Sequence, residues 1–240
     1  MSMGTYLFVL LMTVSAMAAQ SAGGDDPDRL YANRTDLASA KRAVELWSAA
    51  LRRDPADYEA LWKIARANYW IGRHVAEKDR MPVLEDGIAR GRSAASLAPN
   101  RPEGHFWMAA NMGAAAELSS RAGLKYRKAI KEELETVLRI DPAFLQGSAD
   151  RALGRWYFKV PRLFGGNKKS ADQHLRASLQ YDPHSTASHF FLAELLLDEG
   201  RREEARAQAQ LVLDAPADPE WEPENQEFKQ QARSFLASLK

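Results

Sequence analysis

The sequence predicts an all-α protein, a tetratricopeptide-like solenoid of helical hairpins with about ten helices. Three observations carry this expectation. Beyond residue 34, apolar residues recur at helical spacing, and the strict alternation of a strand is missing. Proline-marked turns recur at Asp54-Pro55, Pro99-Asn100, Asp141-Pro142, Asp182-Pro183 and Ala215-Pro216, with proline-to-proline intervals of 44, 43, 41 and 33 residues. The composition, 45% hydrophobic and 27% charged over 240 residues, is that of a chain that packs a core, and with no cysteine the core must hold without disulfides.

Leu7 to Ala19 reads LFVLLMTVSAMAA, thirteen apolar or small residues before the polar GGDDPD. A bilayer-spanning helix needs about 20 residues, so the run fits the apolar part of an export signal, with Ala16-Met17-Ala18 as the small-x-small site. The expected organisation is a signal peptide over 1–18, a disordered linker over 19–34, and a repeat domain over 35–240. That places the mature chain in the periplasm or outside the cell, with no stable membrane insertion after cleavage.

The repeat elements follow in order. Before each of the first four prolines a helix carries small or apolar residues twelve, eight and five positions back: Ala43, Trp47, Ala50; Gly87, Gly91, Ala94; Ile130, Leu134, Val137; Ala171, Leu175, Ser178. The fifth copy is shifted by one, as Ala205, Ala209, Val212. Such spacing puts them on one helix face. After each proline comes a helix of aromatics and alanines: YEALWKIARANYW, HFWMAANMGAAAEL, SADRALGRWYF and SHFFLAELLL. Inserts HVAEKDRMP and VPRLFGGN lengthen the earlier units, and Pro82 and Pro161 are expected to mark helix breaks or first-turn positions. A last helix from about Pro223 to Leu239 is expected to cap the array.

The residues argue against most chemistry. With 33 basic and 32 acidic residues the chain lacks the field of a nucleic-acid binder. Of His74, His105, His174, His184 and His189 only the last two stand near each other, with no cysteine and no HExxH pattern to complete a zinc set, so no metal and no cofactor are expected. Gly165-Gly166-Asn167-Lys168-Lys169-Ser170 lacks the glycine before the lysine of a phosphate loop and reads as a loop with Asn167 or Ser170 as N-cap. There is no GxSxG elbow and no thiol nucleophile, so a non-enzymatic protein is expected.

Two features stand above this background. Arg151 to Arg176 holds seven basic residues and one acidic, whereas Asp214 to Glu227 holds six acidic and no basic ones. The first is either solvated surface or a basic lip (Arg155, Lys159, Arg162, Lys168, Lys169) for an acidic partner. The post-proline aromatics read equally as core or as walls of a cavity on the inner face. On the cavity reading Trp62, Tyr69, Trp70, His105, Trp107, Asn111, Arg155, Tyr157 and Lys159 bind a partner protein or a small anionic, partly apolar ligand; the alternative is a structural scaffold without a cavity.

The motifs PEGHFWMAANMG, LGRWYFKVPRLFGGNKKSADQHLRASL and DPEWEPENQEFK resemble those of the TatT-like T-components of TRAP transporters, over roughly residues 35 to 240. The resemblance implies a periplasmic repeat protein that assembles with itself and with a transporter's substrate-binding component. It singles out His105, Trp107, Asn111, Arg155, Tyr157 and Lys159 as motif members. Members of that family are often lipoproteins, and this chain has no cysteine to acylate. A similar helical-pair organisation occurs in eukaryotic regulators of microtubule dynamics, but the signal-like N-terminus points away from a cytoskeletal role.

Overall fold

The computed structural model describes residues 25–239, so the expected signal segment and positions 19–24 of the expected linker lie outside the described residues. The chain runs through α1 (Pro27–Ala32), α2 (Leu37–Arg53), α3 (Tyr58–His74), α4 (Glu77–Leu97), α5 (Pro102–Leu118), α6 (Ser120–Ile140) and α7 (Ser148–Lys159). A 3-10 turn at Arg162–Phe164 leads to α8 (Lys168–Tyr181), α9 (Thr186–Asp198), α10 (Arg202–Asp214) and α11 (Glu222–Ser238). Among the described residues there is no strand, and consecutive helices pack as hairpins in the expected solenoid.

The Asp-Pro turns have a common mechanism. At Asp26, Asp54, Asp141, Asp182 and Asp218, each followed by proline, the carboxylate accepts the backbone N–H two residues on, at 2.9 to 3.0 Å. Aspartate thus closes a local turn, and at Pro55, Pro142 and Pro183 the proline stands just past a helix end. Side-chain caps then start the helices: Asp57 on α3, Asn167 on α8 and Ser185 on α9. Asn167 in this role leaves the Gly165–Ser170 loop as the helix start its sequence predicts.

The residues twelve, eight and five before each proline, with the shifted fifth set, are buried except for half-buried Ala50. They seat α2, α4, α6, α8 and α10 against their neighbours. Between α4 and α5 small residues permit very close approach: a Cβ at Gly91 of α4 would stand 2.8 Å from the Met108 Cα of α5, and one at Gly104 of α5 2.5 Å from the Ala95 nitrogen of α4.

Three expectations are corrected. Part of the expected linker is helical: Asp26 caps α1, Pro27 fills its first position, and buried Tyr31 meets Trp47 at 6.2 Å between ring centroids. Pro82 lies inside α4, in its second turn on the solvent side, where water can satisfy the Lys78 carbonyl that loses its helical partner. Pro161, by contrast, does follow a helix end. Finally, α11 is more than a cap. Its Phe228 and Phe235 pack on Phe190 and Phe191 of α9, and its first turns reach back to the start of the chain. Buried Arg34 pairs with Glu224 and donates to the Glu220 carbonyl at 2.7 Å.

Candidate functional site

The post-proline helices α3, α5, α7 and α9 carry the residues expected to bind a partner, and the structure divides them. Trp70 is buried, donates its indole N–H to the Arg34 carbonyl at 2.7 Å and stacks on His74 at 3.8 Å. Trp107 is buried against Tyr69 and Phe106. Asn111 is fully buried, its amide donating to the carbonyls of Ala65 and Trp107 at 2.8 and 2.7 Å. For these three residues burial decides for the core.

Another four are half-buried or exposed and engaged within the chain. The Trp62 indole donates to Glu59 at 3.0 Å, and Arg66 lies over its ring. Tyr157 stacks nearly parallel on His174, at 5.4 Å. Arg155 pairs with Glu194 of α9 while lying over Phe191, and Lys159 reaches the same carboxylate at 3.2 Å. Lys168 likewise pairs with Asp198. Much of the basic lip is therefore answered by α9.

His105 has a structural role that recurs. Its Nε2–H donates to the Pro99 carbonyl six residues back at 3.1 Å, and His189 donates to the Pro183 carbonyl in the same way at 2.9 Å. Each ring pins the proline turn that opens its own helix. His105 also donates from Nδ1 to Glu133 at 2.5 Å, and this bond outweighs burial to hold its pKa above the ordinary value. It lines a cleft of about 300 Å³ with Met108, Met112 and Glu133.

A second cleft, of about 550 Å³, opens where the end of α3 faces α9 and α11, between Arg73, His74, Phe190, Glu227, Gln230 and Phe235. His74 and Glu227 are 153 positions apart, so nothing local in the sequence brings the two sides of this cleft together. Burial opposes the charge on His74, but its bonds to Glu227 at 2.5 Å and to the Trp70 carbonyl at 2.7 Å prevail and raise its pKa. Burial likewise works against the Glu227 carboxylate, and His74 and Arg73 more than reverse this, lowering its pKa. Both ring nitrogens of His74, His105 and His189 are thus engaged. Among the described residues no cluster of His, Cys, Asp and Glu gathers to hold a metal ion.

Beyond this cleft Arg73 and Arg155 continue along α3 and α7, with Glu117 near both. Arg73 donates to the Tyr69 hydroxyl at 3.3 Å. Half-buried Arg151 of α7 lies within electrostatic reach of Asp182 and Tyr69, and burial lowers its pKa against the opposing effect of the Asp182 carboxylate. Arg155 follows one turn further along α7. The acidic stretch of the sequence meets this face at one end only, through Glu220, Glu224 and Glu227 on Arg34, Arg73 and His74.

With this geometry in hand, the chain can be set beside known proteins. The family model for regulator of microtubule dynamics protein 1-3 matches residues 25–173. The chain belongs to that family. A tetratricopeptide-repeat model matches residues 166–222, so the two cover nearly all of the described fold. Among solved structures, a thermophilic tetratricopeptide-repeat protein of Thermus thermophilus superposes with a TM-score of 0.64 at 22% identity, covering 88% of this chain and 97% of its own. MamA superposes at 0.53 with 16% identity, covering 86% of this chain and 98% of its own. These likenesses bear on the fold. No curated protein sequence matches the chain.

Proposed function

We propose that this family member is a non-enzymatic interaction scaffold whose inner face holds an acidic segment of a partner protein. The observation that carries the reading is the seating of α11, whose Glu224 and Glu227 lie on Arg34, Arg73 and His74. The chain's own acidic helix thereby supplies an example of what the face accepts. Arg151 and Tyr69 extend the same chemistry beyond the covered end. The name of the family makes microtubules the first partner to assay. Co-sedimentation of the full chain with microtubules is expected to weaken about tenfold or more in Arg151→Glu, the reversal of a contact charge. Pelleting of wild type and variant alike would set the inner face aside.

A second reading is favoured by the apolar run Leu7–Ala19 and the motifs quoted above: an exported accessory of a TRAP-type transporter that joins its substrate-binding component or another copy of itself. A mature N-terminus at Ala19 by mass spectrometry, with recovery in the periplasmic fraction, supports it. An intact Met1 in a cytoplasmic fraction removes it.

A further inference from the structure

One end of the molecule presents a surface that the inner-face reading leaves unused. Leu163 stands at the tip of the 3-10 turn between α7 and α8 with 86% of its surface exposed; Phe164 is exposed to 42% and Leu124, on the first turns of α6, to 53%. Single exposed apolar residues are ordinary, but here one side chain links the two segments that carry them. Arg127 bridges them, donating to the Leu124 carbonyl at 2.9 Å while its guanidinium lies 4.9 Å from the centre of the Phe164 ring.

The tip is built rather than loose. Phe164 and Gly165 donate backbone N–H bonds to Pro161 and Arg162 at 2.8 and 3.1 Å, and Asn167 donates to Tyr157 at 2.9 Å. Gly165 adopts φ +104, and a Cβ at Gly166 would collide with the Val160 carbonyl. The backbone is thereby satisfied and folded tightly under a leucine that it holds out into water.

The charge carried by the tip and by the first turns of α6 is basic, with Asp198 on Lys168 as the acid that the structure shows beside them. Arg121 and Lys125 lie on the exposed face of α6 that carries Leu124, Arg162 and Lys169 flank the tip, and no acidic residue occurs from Ser119 to Lys131 or from Val160 to Ser170. Leucine and phenylalanine raised on a convex tip and ringed by arginine and lysine match the layered chemistry of a lipid surface, with acyl chains beneath anionic headgroups. A protein pocket would have to offer a concave apolar site with an acidic rim, a narrower requirement.

We propose that this end, the first turns of α6 with the Arg162–Phe164 turn, docks peripherally on an anionic membrane surface. The test is flotation of the full chain with vesicles of phosphatidylcholine alone or containing about 30% phosphatidylserine, near the anionic content that such patches read. The apolar N-terminal run is common to every variant, so differences report on the patch. The phosphatidylserine-dependent binding is expected to fall about tenfold or more in Arg121→Glu with Lys125→Glu, and comparably in Leu163→Asp with Phe164→Ser, each variant keeping its helical circular dichroism. In parallel, Leu163→Trp is expected to gain emission that brominated acyl chains quench. Binding indifferent to phosphatidylserine and to both double variants, or a Trp at 163 that brominated lipid leaves unquenched, would overturn the proposal. So would vesicle binding absent throughout while the double variants lose a captured protein, which would assign the patch to a protein partner.

Discussion

Asn111 shows how one residue can look like a ligand contact and serve as a cross-link. Its amide ties α5 to the Ala65 carbonyl of α3, and its Oδ1 finds no hydrogen-bond donor, facing the bare Cα of Gly87 on α4. A polar side chain among aromatics reads alike in both roles, because sequence does not report which helix stands opposite. Gly87→Ala is expected to drive a methyl group into the Asn111 amide and destabilise by about 1–3 kcal/mol, the usual range for overpacking. Asn111→Ala is expected to cost about 0.5–1.5 kcal/mol by removing the hydrogen bond between α5 and α3, the Ala65 carbonyl keeping its own helical partner. Urea denaturation of both variants checks this, and a loss of partner binding at unchanged stability would restore Asn111 to the binding surface.

At the scale of the element, α11 is held by contacts that titrate. The raised pKa of His74 means that its contribution is complete below the unfolded value, near 6.5, and is lost as pH rises through the folded one. The lowered pKa of Glu227 means that its contribution is present above the unfolded value, near 4.5, and is lost as pH falls through the folded one. The two together hold α11 best between those limits. Amide exchange in α11 is expected to quicken on either side of this window, and His74→Gln to flatten the alkaline limb. Arg34→Ala removes the cation from a buried pair, a change that costs about 3–5 kcal/mol in comparable sites. It is expected to free the first turns of α11 to exchange while α4 to α6 keep their protection.

For the whole molecule, these contacts join the two ends of a solenoid, whose units otherwise touch only their neighbours. Deleting residues 215–240 is expected to uncover Phe190 and Phe191, raise binding of an apolar dye, and lower the thermal midpoint by several degrees, about 2–4 °C per kcal/mol for a chain of this size. An unchanged midpoint would mean that the closure contributes nothing to stability.

Much of this architecture was legible beforehand, because helical hairpins are local. The Asp-Pro turns, the N-cap at Asn167 and the small residues before each proline depend on neighbours a few positions away, and each stands where its spacing predicts. The helix at Pro27–Ala32 was not legible, since Tyr31 and Arg34 are fixed by Trp47, Trp70 and Glu224, far along the chain. The site was read least well. Periodicity places Tyr69 and Trp70 on one helix without saying which of the two faces the core. The charge blocks were visible as a basic stretch and an acidic one, yet they do not pair with each other: Glu194 and Asp198 answer much of the first, Arg34, Arg73 and His74 the second. Sequence alone determined an all-α repeat of helical hairpins, because turn chemistry and helical period act over a few residues. Only the tertiary structure decided what faces inward, what is paired and where the chain closes, because burial and ion pairing depend on distances that the superhelix sets.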